Sequence, residues 1–229
     1  MTVLTTFYAI LGGIFPALIW LAFWLKEDAK NPEPRGLIIL CFIAGMIAVP
    51  LVVPFQRFAL DYAGETTSVY FLWAVIEEVF KFGAAYITVL RRREDDEPID
   101  TVIYMITAAL GFAALENILF LIAPVTGGDV VGGVVTGSLR FVGATLLHVV
   151  SSAIVGIFIA FVFYRSRFVK FVFGLAGLLF AIVLHTVFNL SIIEESNGIM
   201  ITAFYSVWIA IVFLLLVLEK IKTIKSPLL

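Results

Sequence analysis

The sequence predicts an all-α polytopic membrane protein: a single membrane domain over residues 1–229, built as a bundle of seven transmembrane helices. Three observations carry this. The 229 residues are 62% hydrophobic and 14% charged, with mean hydropathy +1.11, whereas a soluble domain is nearer half apolar and a quarter charged. Apolar stretches of about 20 residues, enough to cross a ~30 Å hydrocarbon core, recur along the whole chain. The segments between them are short and polar and leave no room for a sizeable soluble domain.

The expected spans are about 3–25, 37–56, 67–90, 101–124, 139–164, 171–193 and 199–218. The first run has no basic region before it and no small-residue cleavage site, and Lys26 and Lys30 follow it, as for a retained span. Pro16, Pro50 and Pro54 should kink spans one and two. The connection from Lys26 to Gly36 holds Pro32 and Pro34. That from Arg91 to Asp100 reads RRREDDEPID, a solvated loop. Residues 126–138 differ in texture, with five of the chain's 17 glycines: Gly127, Gly128, Gly132, Gly133 and Gly137. This segment is too short to span. It reads as a mobile outer loop or a re-entrant piece, which would make an eighth membrane element if it inserts.

Twelve of the 15 Lys and Arg fall in alternate connections and the tail, between 26 and 36, 91 and 100, 165 and 170, and 220 and 225. The positive-inside rule places these in the cytoplasm, with the N-terminus outside and the C-terminus inside. The other side has Arg57 and Arg140, and Lys81 lies within a span. No Lys/Arg cluster tracks phosphates, so the expected partner is the lipid bilayer and not nucleic acid. The single cysteine, Cys41, can form no internal disulfide.

Function is concentrated in a few ionisable residues. Both histidines, His148 and His185, lie inside apolar runs, as do Glu77, Glu78, Glu116 and Lys81. Each charge at a bilayer centre costs about 2.5–3.5 kcal/mol, so four unpaired ones would cost about 10 kcal/mol. Such groups persist where they face each other, a wet cavity or an ion. Counted from the outer end of its span, Glu77 is about ten residues in, Glu116 eight, His148 nine and His185 eight. At 1.5 Å per residue all four lie about 12–15 Å deep. Each has a companion four residues away on the same helix face: Lys81 for Glu77, Phe112 for Glu116, Ser152 for His148 and Asn189 for His185. Glu77 and Glu78 point about 100° apart. Glu77 is expected to face the layer, and Glu78 to pair with Lys81 or a neighbouring helix.

The runs WAVIEEVFK (Glu77, Glu78, Lys81), GFAALENILF (Phe112, Glu116, Asn117), LLHVVSS (His148, Ser152) and LHTVFNL (His185, Asn189) occur in this order on spans three to six. Together they resemble the PrsW family of intramembrane proteases, related to the type II CAAX prenyl endopeptidases and to the APH-1 subunit of γ-secretase. The resemblance covers about 70–193, which makes the four helices within 67–193 the expected catalytic core. It implies hydrolysis of a peptide bond near the extracytoplasmic side of a plasma (inner) membrane. The substrate it implies is a single-pass membrane protein such as a regulatory anti-sigma factor.

Peptide hydrolysis needs an activated water, stabilisation of the oxyanion and a proton for the leaving amine. Glu77 is the expected base on a water shared with Glu116. His185 is the expected donor, Asn189 a second donor or the group that fixes the imidazole, and His148 with Ser152 the third corner. Phe112 is expected to shield Glu116, and Asn117 to support it or bond across helices. A zinc version uses Glu77, Glu116, His148 and His185 as ligands, assembled across helices because no contiguous H-E-x-x-H occurs. The same buried layer also serves two other classes, a non-catalytic membrane scaffold and a proton- or ion-coupled transporter.

Overall fold

The computed structural model describes residues 3–193 and 197–225. It is all-helical among these residues: α1 (Val3–Trp24), α2 (Arg35–Ala63), α3 (Thr67–Thr88), α4 (Pro98–Thr126), α5 (Val130–Leu139), a π turn (Arg140–Ala144), α6 (Thr145–Phe161), α7 (Arg167–Ile193) and α8 (Asn197–Ile221). Because α5, the π turn and α6 are contiguous, these make seven rods. Six are long and apolar enough to cross a membrane. The seventh, α3, has 22 residues and carries Glu77, Glu78 and Lys81.

The helix α4 is the axis. It packs against α1, α2 and α6, and buries residues on every side, from Ile99 and Val102 to Ile118 and Leu121. A helix that is apolar all round belongs in such a position. Its start is specified locally by Pro98 in the first turn and by a capping box in which Asp100 accepts the Glu97 amide at 2.6 Å. Two glycines let α2 and α4 touch backbone to backbone. A Cβ on Gly45 would strike the Ala108 carbonyl, and one on Gly111 the Phe42 carbonyl. Small residues at such crossings are the usual means of close helix approach in a membrane. The outer helices α1, α2, α7 and α8 expose large apolar side chains, among them Phe15, Phe55, Phe180 and Phe213. That is the surface acyl chains require.

The segment 126–138 departs from the expected loop. Only Gly127 to Asp129 turn, with Gly128 at φ 79°. Asp129 then caps α5 by accepting the Gly132 amide at 2.8 Å. The segment adds no eighth span but lengthens the fifth, which becomes a 31-residue apolar stretch from Val131 to Phe161. Its glycines suggested a turn, but glycine is common within membrane helices, and the valines between them supply the apolar surface. The connection 91–100 also departs from expectation. Arg91, Arg92 and Arg93 are exposed, but Asp100 is wholly buried.

Candidate active site

Four helices bring the ionisable residues to one place. On α3, one turn presents Glu77, Glu78 and Lys81, all buried. Glu78 is the hub. Its Oε1 accepts from Lys81 Nζ at 2.5 Å and from Ser151 Oγ at 2.9 Å, and lies 2.7 Å from His185 Nδ1. Ser152 Oγ reaches Oε2 at 3.5 Å. Glu77 points elsewhere, as the 100° separation requires. Its Oε1 accepts from Gln56 Nε2 of α2 at 2.9 Å. Its Oε2 is buried without a hydrogen-bond partner among the described residues, 3.6 Å from His185 Nε2.

These contacts select the tautomer that each imidazole takes when neutral. An ammonium only donates, so Lys81 Nζ, 2.8 Å from His148 Nδ1, makes that nitrogen the acceptor. The proton of neutral His148 is then on Nε2, which faces Glu116 Oε2 at 3.0 Å. His185 has the opposite arrangement. Its Nδ1 faces the Glu78 carboxylate and donates, which leaves Nε2 as a bare lone pair toward Glu77. The two rings stand nearly perpendicular, 5.1 Å apart, with Phe112 against His148 at 5.5 Å. Phe112 therefore walls the histidine and the lysine, with Lys81 Nζ 5.2 Å from its centroid.

Glu116 also accepts from the guanidinium of Arg140, the first residue of the π turn. Arg140 Nε donates to Asn117 Oδ1 at 2.5 Å, and Asn117 Nδ2 donates to Thr145 Oγ1 at 3.0 Å. Asn117 thus carries α4 to the π turn and α6. Asn189 lines the cavity without touching either imidazole through a hydrogen bond, and Glu78 fixes His185 in its place. The cavity has a volume of about 540 Å³ and is walled by Glu77, Glu116, Arg140, His148, His185 and Asn189. Sequence spacing does not mark four groups in this network, Gln56, Arg140, Thr145 and Ser151. Gln56 sat at the expected end of an apolar span, Arg140 counted only as a flanking charge, and Ser151 adjoined the favoured Ser152. A lone arginine beside an apolar span is the one signal available for Arg140. π turns within helices concentrate at functional sites.

The charges do not cancel. Three carboxylates face Lys81 and Arg140, so with neutral imidazoles one negative charge is in surplus. Glu77 is the carboxylate with no cationic side chain on it. One ligand atom each from Glu77, His148 and His185 lies within 4.8 Å of the others. These residues fit a metal ion of zinc type: two imidazoles and a carboxylate, an orphaned buried oxygen on Glu77, and a bare Nε2 on His185. His185 moreover donates its other nitrogen to a carboxylate, the usual support of a ligating histidine. His148 would join through Nε2 by giving up its bond to Glu116 and the proton on that nitrogen, with Nδ1 drawing a proton from Lys81 in exchange.

The sequence matches the family described as PrsW family intramembrane metalloprotease over residues 33–217. It is 31% identical to Protease PrsW of Oceanobacillus iheyensis over 182 residues, covering 78% of this chain and 80% of that one. It is 30% identical to Protease PrsW of Geobacillus kaustophilus over 166 residues, 71% of this chain and 68% of the relative. It is also 30% identical to Protease PrsW of Bacillus subtilis, over 71% and 70% of the two chains. No solved structure matches it. With a polar centre enclosed by membrane-length helices and a match that spans most of its length, the chain belongs to the PrsW family of intramembrane proteases and is a membrane-embedded peptidase.

Proposed function

We propose that the chain hydrolyses a peptide bond of a membrane-protein substrate in the 540 Å³ cavity, with Glu77 taking the proton of the attacking water. The observation that carries this is the bare Glu77 Oε2 in a cluster with one surplus negative charge. An unpaired buried carboxylate is retained where it has work to do. Gln56 holds the other oxygen, so the free one stays directed at the site. Glu116, paired with Arg140, orients the water from the opposite wall. The tautomers exchange the roles first assigned to the histidines. Neutral His185 has no proton on Nε2 to give, whereas His148 offers Nε2–H to an oxyanion or a leaving amine. Ser151 and Ser152 hold Glu78 and are not nucleophiles.

Zinc held by Glu77, His148 and His185 would supply Lewis-acid polarisation of the scissile carbonyl and a more acidic water. In that case His185 and Glu77 present their free atoms and Glu78 supports His185 from behind. The substrate we favour is a single-pass regulator such as an anti-sigma factor. Cleavage would be near the extracytoplasmic side of the plasma membrane, with the N-terminus outside and the C-terminus in the cytoplasm, an orientation supported by the distribution of basic residues.

The test is cleavage of fluorogenic single-span peptides by purified protein, with Glu77→Gln and His185→Ala beside wild type. A loss of at least ~10²-fold in each folded variant is expected. Equal cutting by all three would transfer the chemistry to other residues.

A further inference from the structure

At the other end of α4, about 24 Å from Glu116 at 1.5 Å per residue, acidic side chains converge from three segments. Asp28 comes from the α1–α2 connection, Glu97 caps α4, and Asp100 is in its first turn. One oxygen of each lies within 4.8 Å of the others. Asp28 is 5% exposed and Asp100 0%. Each has a buried oxygen with no hydrogen-bond partner among the described residues, Asp28 Oδ2 and Asp100 Oδ1. Glu33 lies within hydrogen-bond reach of Asp100 across the same space, close enough for the two carboxyls to share a proton when no ion is bound. Among the described residues no Lys or Arg pairs with any of the four; the nearby Lys222 pairs with Glu27 and Glu219.

Local structure explains part of this. Asp100 Oδ2 accepts the Asp96 and Glu97 amides as a helix cap, and Asn31 Nδ2 donates to Glu97 Oε1 at 3.0 Å. Glu33 accepts from Tyr104. Neither the cap nor the helix dipole explains the two bare oxygens. Buried charges are as a rule paired or coordinate metals. We propose that Asp28, Glu97 and Asp100 bind one hard divalent cation, tying the α1–α2 connection to the start of the central helix. The donors are all oxygen, the set that selects magnesium, calcium or manganese over zinc. Oxygens on opposite sides of a calcium ion lie about 4.6–5.2 Å apart, a span that oxygens within 4.8 Å of one another do not exceed.

Manganese is the probe, read by loss of its free electron-paramagnetic-resonance signal on full-length protein in detergent. Glu77→Gln/His185→Ala serves as the background, to remove the donors of the catalytic cavity. One manganese per chain should bind, magnesium or calcium should displace it, and Asp28→Asn should weaken it at least tenfold. In the same background, either dication at about a hundredfold excess over its Kd should raise the melting temperature by about 5 °C or more. Glu97→Gln, which keeps the acceptor for Asn31, repeats the test should Asp28→Asn not fold. No binding by the folded background protein would overturn the proposal, as would binding indifferent to both substitutions. A background protein that ignores all three dications but is stabilised by Asp28→Asn would show a shared proton in the ion's place and overturn it equally.

Discussion

Replacing Lys81 by methionine should destabilise the protein more than any other single change at the site. Lys81 and Glu78 are both 0% exposed and 2.5 Å apart. The lysine also fills the acceptor nitrogen of His148. Methionine keeps the length and the contact with Phe112 but leaves Glu78 as an unbalanced buried charge. Breaking a buried pair by removing one partner costs about 3–5 kcal/mol. The hydroxyl of Ser151 and the Nδ1–H of His185 remain on Glu78, so the lower half of that range is expected. For a chain of this size each kcal/mol moves the melting temperature by about 2–4 °C, which gives a fall of about 6–16 °C. Thermal unfolding in detergent, followed by circular dichroism, measures it. The double variant Glu78→Gln/Lys81→Met removes both charges and should recover most of the loss, because a neutral buried pair carries no desolvation penalty. Activity should not recover, since Glu78 also orients His185. A melting temperature for Lys81→Met within 2 °C of wild type would refute the pairing, and with it the assignment of the His148 proton.

Three further outcomes follow from the geometry. Gly111→Ala drives a Cβ into the Phe42 carbonyl and should cost about 1–3 kcal/mol or more by forcing α2 from α4, whereas Gly83→Ala, with open space around it, should change stability by less than about 1 kcal/mol; paired melting curves compare them. Gln56→Leu removes the only hydrogen bond to Glu77 Oε1 among the described residues and should lower kcat/KM about tenfold or more without unfolding the protein, measured on the peptide substrate. Exhaustive chelation should abolish cleavage, and zinc should restore it; full activity in metal-free protein would assign the reaction to Glu77-activated water alone.

The sequence made the centre legible through contrast. His148, His185, Glu77 and Glu116 stand out because nothing around them is ionisable, and the helical period separates Glu77 from Glu78. Both facts are local, and the folded chain brings the four side chains together across α3, α4, α6 and α7. The partners that depend on tertiary contact were not legible. Gln56 is 21 residues from Glu77, and Arg140 is 24 from Glu116. Neither lies on the same helix as its partner, and a polar residue near a span end looks like an interface residue. His148 is nine residues from Leu139, the expected start of its span, while the helix starts at Val130. The level is set by contacts with Glu116 and Lys81, and not by distance from the helix end. Burial of Asp28 and Asp100 was hidden for the same reason, since charged residues in a short connection read as solvated until another segment covers them.

The glycine crossing of α2 and α4 removes a degree of freedom from the reaction centre. Gln56, which holds Glu77, rides on α2, and Glu116 rides on α4. At Gly45 and Gly111 these helices meet through main-chain atoms, which have no rotamers to adjust. The two carboxylates are therefore gauged from one stiff frame, like the jaws of a caliper whose beam is backbone. Elements that yield to an incoming peptide must lie elsewhere. The least anchored is α5, with Val131, Val134 and Val135 all more than half exposed, hinged to α6 by the π turn that carries Arg140.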